Sequence, residues 1–120
     1  MIISRRFQWP RGIEFQVIRL FMVSHPTENA GGLARSLVNE GLAACVHLLP
    51  KGTSVYSWEG KICEEEEVLL LIKTAADPSL LTSEILKIHP HDCPEIIGLN
   101  INEGHQAYLD WILQSTKGAS

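Results

Sequence analysis

The densest group of side chains able to do chemistry is His89-Pro90-His91-Asp92-Cys93-Pro94-Glu95. Imidazole, thiolate and carboxylate are all transition-metal ligands. In extended backbone, alternate residues share a face, which would send His89, His91 and Cys93 to one side. Two prolines interrupt that regularity. The competing reading is therefore a helix-stopping turn, with His89 well placed at the negative end of the preceding helix. A second group is Glu64-Glu65-Glu66-Glu67. Hard cations take such oxygen ligands, yet acids on a strand edge equally serve to block unwanted pairing. Two aromatic pairs, Tyr56 with Trp58 and Tyr108 with Trp111, suit core or interface anchors. With one polar end each, they also suit the wall of a pocket between subunits.

Catalytic templates are missing. The chain has no GxSxG elbow, no Walker A loop, no GxGxxG after a strand and no HExxH pair. Cys45 sits among apolar residues and reads as a small core side chain. A non-enzymatic protein is expected. The three cysteines, Cys45, Cys63 and Cys93, are an odd number without zinc-ribbon spacing. They read as free thiols of a reducing, cytoplasmic compartment. The net charge of -4 and scattered basic residues speak against a nucleic-acid partner. No apolar run approaches the roughly 18 residues of a membrane span. The start of the chain lacks the apolar stretch of a secretion signal.

These groups must be positioned by one domain, since the chain has 120 residues. Residues 1–14 read as an N-terminal extension, either poorly fixed or an arm bringing Phe7 and Trp9 to a neighbour. The folded domain is expected over residues 15–120. A central strand is expected over Phe15–Val23. A turn at Ser24-His25-Pro26 would start a helix whose apolar positions Ala30, Leu33, Ala34, Leu37 and Val38 follow helical spacing. Gly31 and Gly32 weaken that helix by about 1 kcal/mol each relative to Ala, and close packing is the expected reason for them. Gly41 is a suitable stop.

Leu42 to Thr74 then reads as a long β-hairpin folded at Glu59-Gly60, with a bend at Pro50-Lys51-Gly52. Limbs of about 17 residues would span on the order of 55 Å. A compact domain of about 100 residues has a radius of gyration near 13 Å, so the hairpin must bend or protrude. A protruding two-stranded ribbon is marginal in water, which makes a further copy of the chain its natural cover. Asp77-Pro78 offers a helix start, and the helix must end at His89 because Pro90 follows. A strand over Pro94–Ile101 and a helix over Gln106–Thr116 complete the order. This is the α+β, ferredoxin-like βαββαβ pattern: an antiparallel sheet with helices on one face, a long central hairpin and an extra C-terminal helix.

Several separate stretches carry a family likeness. Gly41-Leu-Ala-Ala-Cys45, Thr53-Ser-Val-Tyr-Ser-Trp-Glu-Gly-Lys61, Ile72-Lys-Thr74, His89-Pro90, Pro94-Glu95 and Ala107-Tyr-Leu-Asp-Trp111 resemble the CutA divalent-cation-tolerance family over about residues 15 to 116. The resemblance implies a cytoplasmic homotrimer in which the hairpin reaches into its neighbours. It implies a link to tolerance of divalent metals, notably copper. The trimer resembles that of PII-type signalling proteins, so the alternative function is a signalling or interaction module. Its small-molecule or protein ligand would sit in clefts between subunits near Trp58, Lys61 and Tyr108. The copper ligands of some bacterial members fall on Met22, Ile88 and His89. Only His89 keeps the usual ligand type. Met22 suits a cuprous ion through its thioether, and His91 and Cys93 are expected to substitute for the rest.

Overall fold

The computed structural model describes residues 16–117. The N-terminal extension, with Phe7 and Trp9, lies outside the described residues, as does Phe15. The elements run β1 (Arg19–Pro26), α1 (Ala30–Asn39), β2 (Cys45–Leu48), β3 (Gly52–Trp58), β4 (Lys61–Thr74), α2 (Pro78–Ile88), β5 (Ile96–Asn100) and α3 (Gln106–Ser115). The five-stranded sheet is antiparallel in order β2-β4-β1-β5, with β3 also paired to β4. This is the expected βαββαβ order plus a terminal helix. The first limb of the hairpin is split into two strands by Leu49-Pro50-Lys51, where proline has no N–H for the ladder. The chain reverses at Glu59 and Gly60, both at positive φ (51° and 79°), as a two-residue hairpin turn requires.

Alternation along β1 sets the two faces of the sheet. Phe21, Val23 and His25 are buried; Leu20, Met22 and Ser24 between them are half-buried. Phe21 and Val23 join Leu33 and Leu37 of α1, Leu70 and Ile72 of β4, and Leu81 and Ile85 of α2 in the main core. Both helices therefore lie on one face. Helix α3 lies against one end of the other face. Lys73, directly across from Leu20, donates to the Tyr108 hydroxyl at 3.2 Å, and Ile112 packs with Ile18, Ala44 and Ala75. None of the other described residues covers the remainder of that face, and Ile97 and Leu99 of β5 are about half exposed (51% and 56%).

Local signals explain most boundaries. Asp77 caps α2 by accepting from the Leu80 N–H at 3.3 Å, with Pro78 in the first turn. Gly41, at φ 73°, closes α1 with its N–H on the Val38 carbonyl. Thr74, fully buried, donates to the Leu42 carbonyl at 2.6 Å and accepts from the Ala76 N–H. That satisfies the one polar side chain at the buried end of β4.

Three boundaries differ from expectation. Strand β1 begins at Arg19 and continues through Ser24-His25-Pro26, whose backbone pairs with Leu69, Val68 and Glu67. Helix α1 consequently starts at Ala30, after Asn29 in the left-handed conformation. β5 starts at Ile96, two residues after Pro94.

The hairpin does protrude. The molecule measures 52 × 26 × 25 Å. Val55, Trp58 and Ile62 on the ribbon are 62%, 55% and 75% exposed.

Candidate functional site

The residues with metal-ligand chemistry meet where the end of α2 crosses β1. Pro90 stops the helix, so His89 turns to extended backbone (φ -66°, ψ 135°). Its ring goes inward against the far end of β1 and is 7% exposed. Nε2 lies 2.6 Å from the Ser24 carbonyl oxygen. Nδ1 lies 3.1 Å from the His91 backbone N–H, a donor. A carbonyl can only accept, and an N–H can only donate. The neutral ring with its proton on Nε2 satisfies both contacts. Burial holds this imidazole below the usual histidine range, with the nearby His25 and His91 acting in the same direction and the Ser24 carbonyl opposing.

The other candidate donors are placed differently. His91 lies 5.1 Å from His89 between ring centroids and is exposed, as is Cys93. Residues 90–93 form consecutive bends, so the expected alternation does not hold. His89 points inward while His91 and Cys93 face solvent. Met22 lies on the helix-free face of the sheet, opposite His25. The structure thus brings His89 and His91 together but does not bring all four candidates to one point. Among the described residues no three His, Cys, Asp or Glu side chains gather to hold a metal ion. His89 in this conformation has no nitrogen left to offer.

One residue of this cluster was not expected. His25 is 2% exposed, and its ring lies 4.8 Å from that of His89. Its Nδ1–H donates to the Pro26 carbonyl at 2.8 Å. The signal was present in the alternation Phe21, Val23, His25, but it was hidden because His25-Pro26 resembles a turn.

The acidic run lies where the hairpin leaves the sheet. Glu64, Glu65 and Glu66 are exposed. Glu65 accepts from the Tyr56 hydroxyl at 2.7 Å, and Glu66 pairs with Lys51 at 3.3 Å. The hydrogen bond to Glu65 pushes the Tyr56 phenol up to about 12. These acids make a solvated, cross-strand-paired ribbon.

At the opposite end of the sheet, Lys73 also lies 5.5 Å from the Tyr108 ring centroid. Tyr108 and Trp111 are 5.5 Å apart between ring centroids. Trp58 and Lys61 sit at the hairpin turn, on a different element from Tyr108.

Similarity to known proteins is extensive. The family described as CutA1 divalent ion tolerance protein matches residues 19–115. The divalent-cation tolerance protein CutA of Thermus thermophilus is 42% identical over 97 residues, covering 79% of this chain and 94% of the relative. Human protein CutA is also 42% identical, over 100 residues, but this chain spans only 56% of its length. The solved structure of the divalent cation tolerance protein (Cut A1) from Thermus thermophilus superimposes with a TM-score of 0.79 at 39% identity, covering 83% of this chain and 99% of the other. The PII-like protein CutA of a Nostoc species superimposes with a TM-score of 0.76 at 30% identity, covering 82% and 97%.

Proposed function

This chain belongs to the CutA1 divalent ion tolerance family, and from that premise we propose that it acts as a cytoplasmic homotrimer in divalent-metal tolerance, chiefly toward copper, binding metal ions without catalysing a reaction. The observation that carries the assembly is the ribbon of β3 and β4 with its apolar residues bare, beside an apolar sheet face that the described residues cover only at one end. Two further copies supply cover for both, and removal of apolar surface from water drives their association. Among the described residues no helix is long and apolar enough to cross a membrane.

Direct metal binding falls to His91 and Cys93, the candidate donors that face solvent. His89 holds their loop in place through its two hydrogen bonds. The soft thiolate and borderline imidazole suit copper better than a hard cation. Copper titration by calorimetry under reducing conditions tests this. We expect saturable binding, weakened in His91→Ala and in Cys93→Ser. Absence of binding to the unsubstituted protein refutes the direct-binding part.

The second function is a PII-like signalling or interaction module. It is favoured by the half-buried Lys73–Tyr108 pair and the adjacent Trp111. In an assembly, a neighbour's hairpin turn would bring its Trp58 and Lys61 to this end of the sheet. A ligand there would quench tryptophan fluorescence, and Trp58→Phe would remove part of that response.

A further inference from the structure

We propose that Lys73 and Tyr108 bind the carboxylate of a small organic acid with an apolar body. The proposal rests on the second function above, in which a ligand occupies this end of the sheet, and it names that ligand's chemistry.

The ammonium is the first observation. Lys73 is half-buried on the helix-free face of β4. It lies across from Cys45 on β2 and Leu20 on β1, and neither is a carboxylate. The ion pairs formed by lysine among the described residues are Lys51–Glu66 and Lys87–Glu84, and neither involves Lys73. A lysine on a sheet face commonly runs its stem over apolar surface and sends its ammonium to water. Here Nζ turns to α3 instead. It lies 3.2 Å from the Tyr108 hydroxyl oxygen and 5.5 Å from the ring centroid. A partly desolvated cation costs free energy until a counter-charge joins it. Helix α3 offers none there, because Tyr108 stands in its first turn, at the positive end.

The hydroxyl is the second observation. An ammonium has only protons to give, so Tyr108 accepts this bond and keeps its own O–H proton for another acceptor. Two donors, one of them charged, thus stand 3.2 Å apart. The two oxygens of a carboxylate match such a pair, and hydrogen bonds with an ionised partner are the strong ones.

The surroundings supply the third. The pair marks the border where α3 stops covering this face. Lys73 faces Leu20, which in turn faces Leu99, and two residues along β4 Leu71 faces Met22. Leu20, Leu71 and Met22 are half-buried and Leu99 is exposed. Trp111 lies 5.5 Å from Tyr108 between ring centroids. This floor takes the body of an aromatic or aliphatic acid out of water, which a bare acetate or phosphate ion cannot use. A glutamate from a neighbour's ribbon carries the same anionic group, but Glu65 and Glu66 already have cross-strand partners in Tyr56 and Lys51. A free acid is therefore the better fit.

The test is a titration of the full, isotope-labelled chain with a metal chelator present, following the Trp111 indole N–H resonance. Benzoate, acetate, benzyl alcohol and inorganic phosphate are added separately. We expect a saturable shift with benzoate, and binding at least tenfold weaker for the other three. Lys73→Met is expected to weaken benzoate at least tenfold, Tyr108→Phe to weaken it severalfold while keeping the ring, and Lys73→Arg to keep most of it. The native mass of each variant separates a lost contact from lost assembly. Benzyl alcohol binding as tightly as benzoate, or full benzoate binding by both Lys73→Met and Tyr108→Phe, would overturn the proposal. A saturable shift with phosphate or benzyl alcohol but not benzoate would reject the carboxylate and leave the ligand site standing. No shift with any of the four would reject both. No shift with benzoate, together with loss of the assembly in Lys73→Met, would instead assign the pair to a neighbour's glutamate.

Discussion

Strand β4 lives in two environments. From Val68 to Thr74 it is flanked by β1 and β2, and Leu70, Ile72 and Thr74 are fully buried beneath two helices. From Lys61 to Glu66 it has only β3 for company, and Ile62 is 75% exposed. Strand β4 itself runs without interruption through both halves, although its partner limb breaks at Leu49-Pro50-Lys51. The difference lies in what covers the side chains. Among the described residues, α1 and α2 supply the cover for the first half, and none does so for the second. Hydrogen bonding can extend a ribbon, but a two-stranded ribbon with one apolar stripe is not stable in water without a packing partner. The covered half is a folding device, and the bare half is the part that the proposed trimer would use for assembly.

The contrast can be broken or sharpened by substitution at fixed protein concentration, because an oligomer's apparent stability depends on it. The largest effect is expected in the covered half. Leu70→Ala should lower stability by about 2–5 kcal/mol in denaturant unfolding. If it costs no more than a surface change, the core is not where we place it. Next comes Gly98, which faces Phe21 across the β1–β5 ladder. A Cβ at Gly98 would lie 2.8 Å from the Phe21 ring. Gly98→Ala should therefore force the ring to move and cost about 1–3 kcal/mol.

A smaller effect comes from His89, at the edge of the covered half. Its folded-state value lies below the ordinary one near 6.5, mainly because it is buried. The folded state thus takes up a proton less readily than the unfolded chain. Stability from the neutral ring is complete above the unfolded value and declines as pH falls through the lowered folded value. Unfolding measured at pH 8 and pH 5 should show this loss, and His89→Gln should show less of it. The smallest effect belongs to the ribbon's polar edge. Glu65→Gln should bring the Tyr56 phenol back from about 12 toward the ordinary range, read by ultraviolet titration. It should leave the melting temperature where it was, because an exposed pair contributes little to folding.

Much of this was legible in the sequence, and what was not has physical causes. Asp77-Pro78, His89-Pro90, Glu59-Gly60 and Pro50-Lys51 each act through local backbone chemistry, and each appears where expected. Ser24-His25-Pro26 carries the same turn-like residues, yet it extends β1, because pairing with Leu69, Val68 and Glu67 overrides local preference. That tertiary override also concealed His25. Spacing did not settle the loop from His89 to Cys93, since whether alternate residues share a face depends on the bends over residues 90–93, between Pro90 and Pro94. Close packing was the expected reason for Gly31 and Gly32. It has some basis at Gly31, where a Cβ would lie 3.1 Å from the Arg35 guanidinium, and none at Gly32.

The most direct test of the division between the two halves of β4 is the native mass of the full chain, unsubstituted and with Ile62→Asp. The account predicts a three-chain mass for the unsubstituted protein. For Ile62→Asp it predicts single chains that keep the sheet's circular-dichroism signature. A single-chain mass for the unsubstituted protein, or an intact trimer carrying Ile62→Asp, would contradict it.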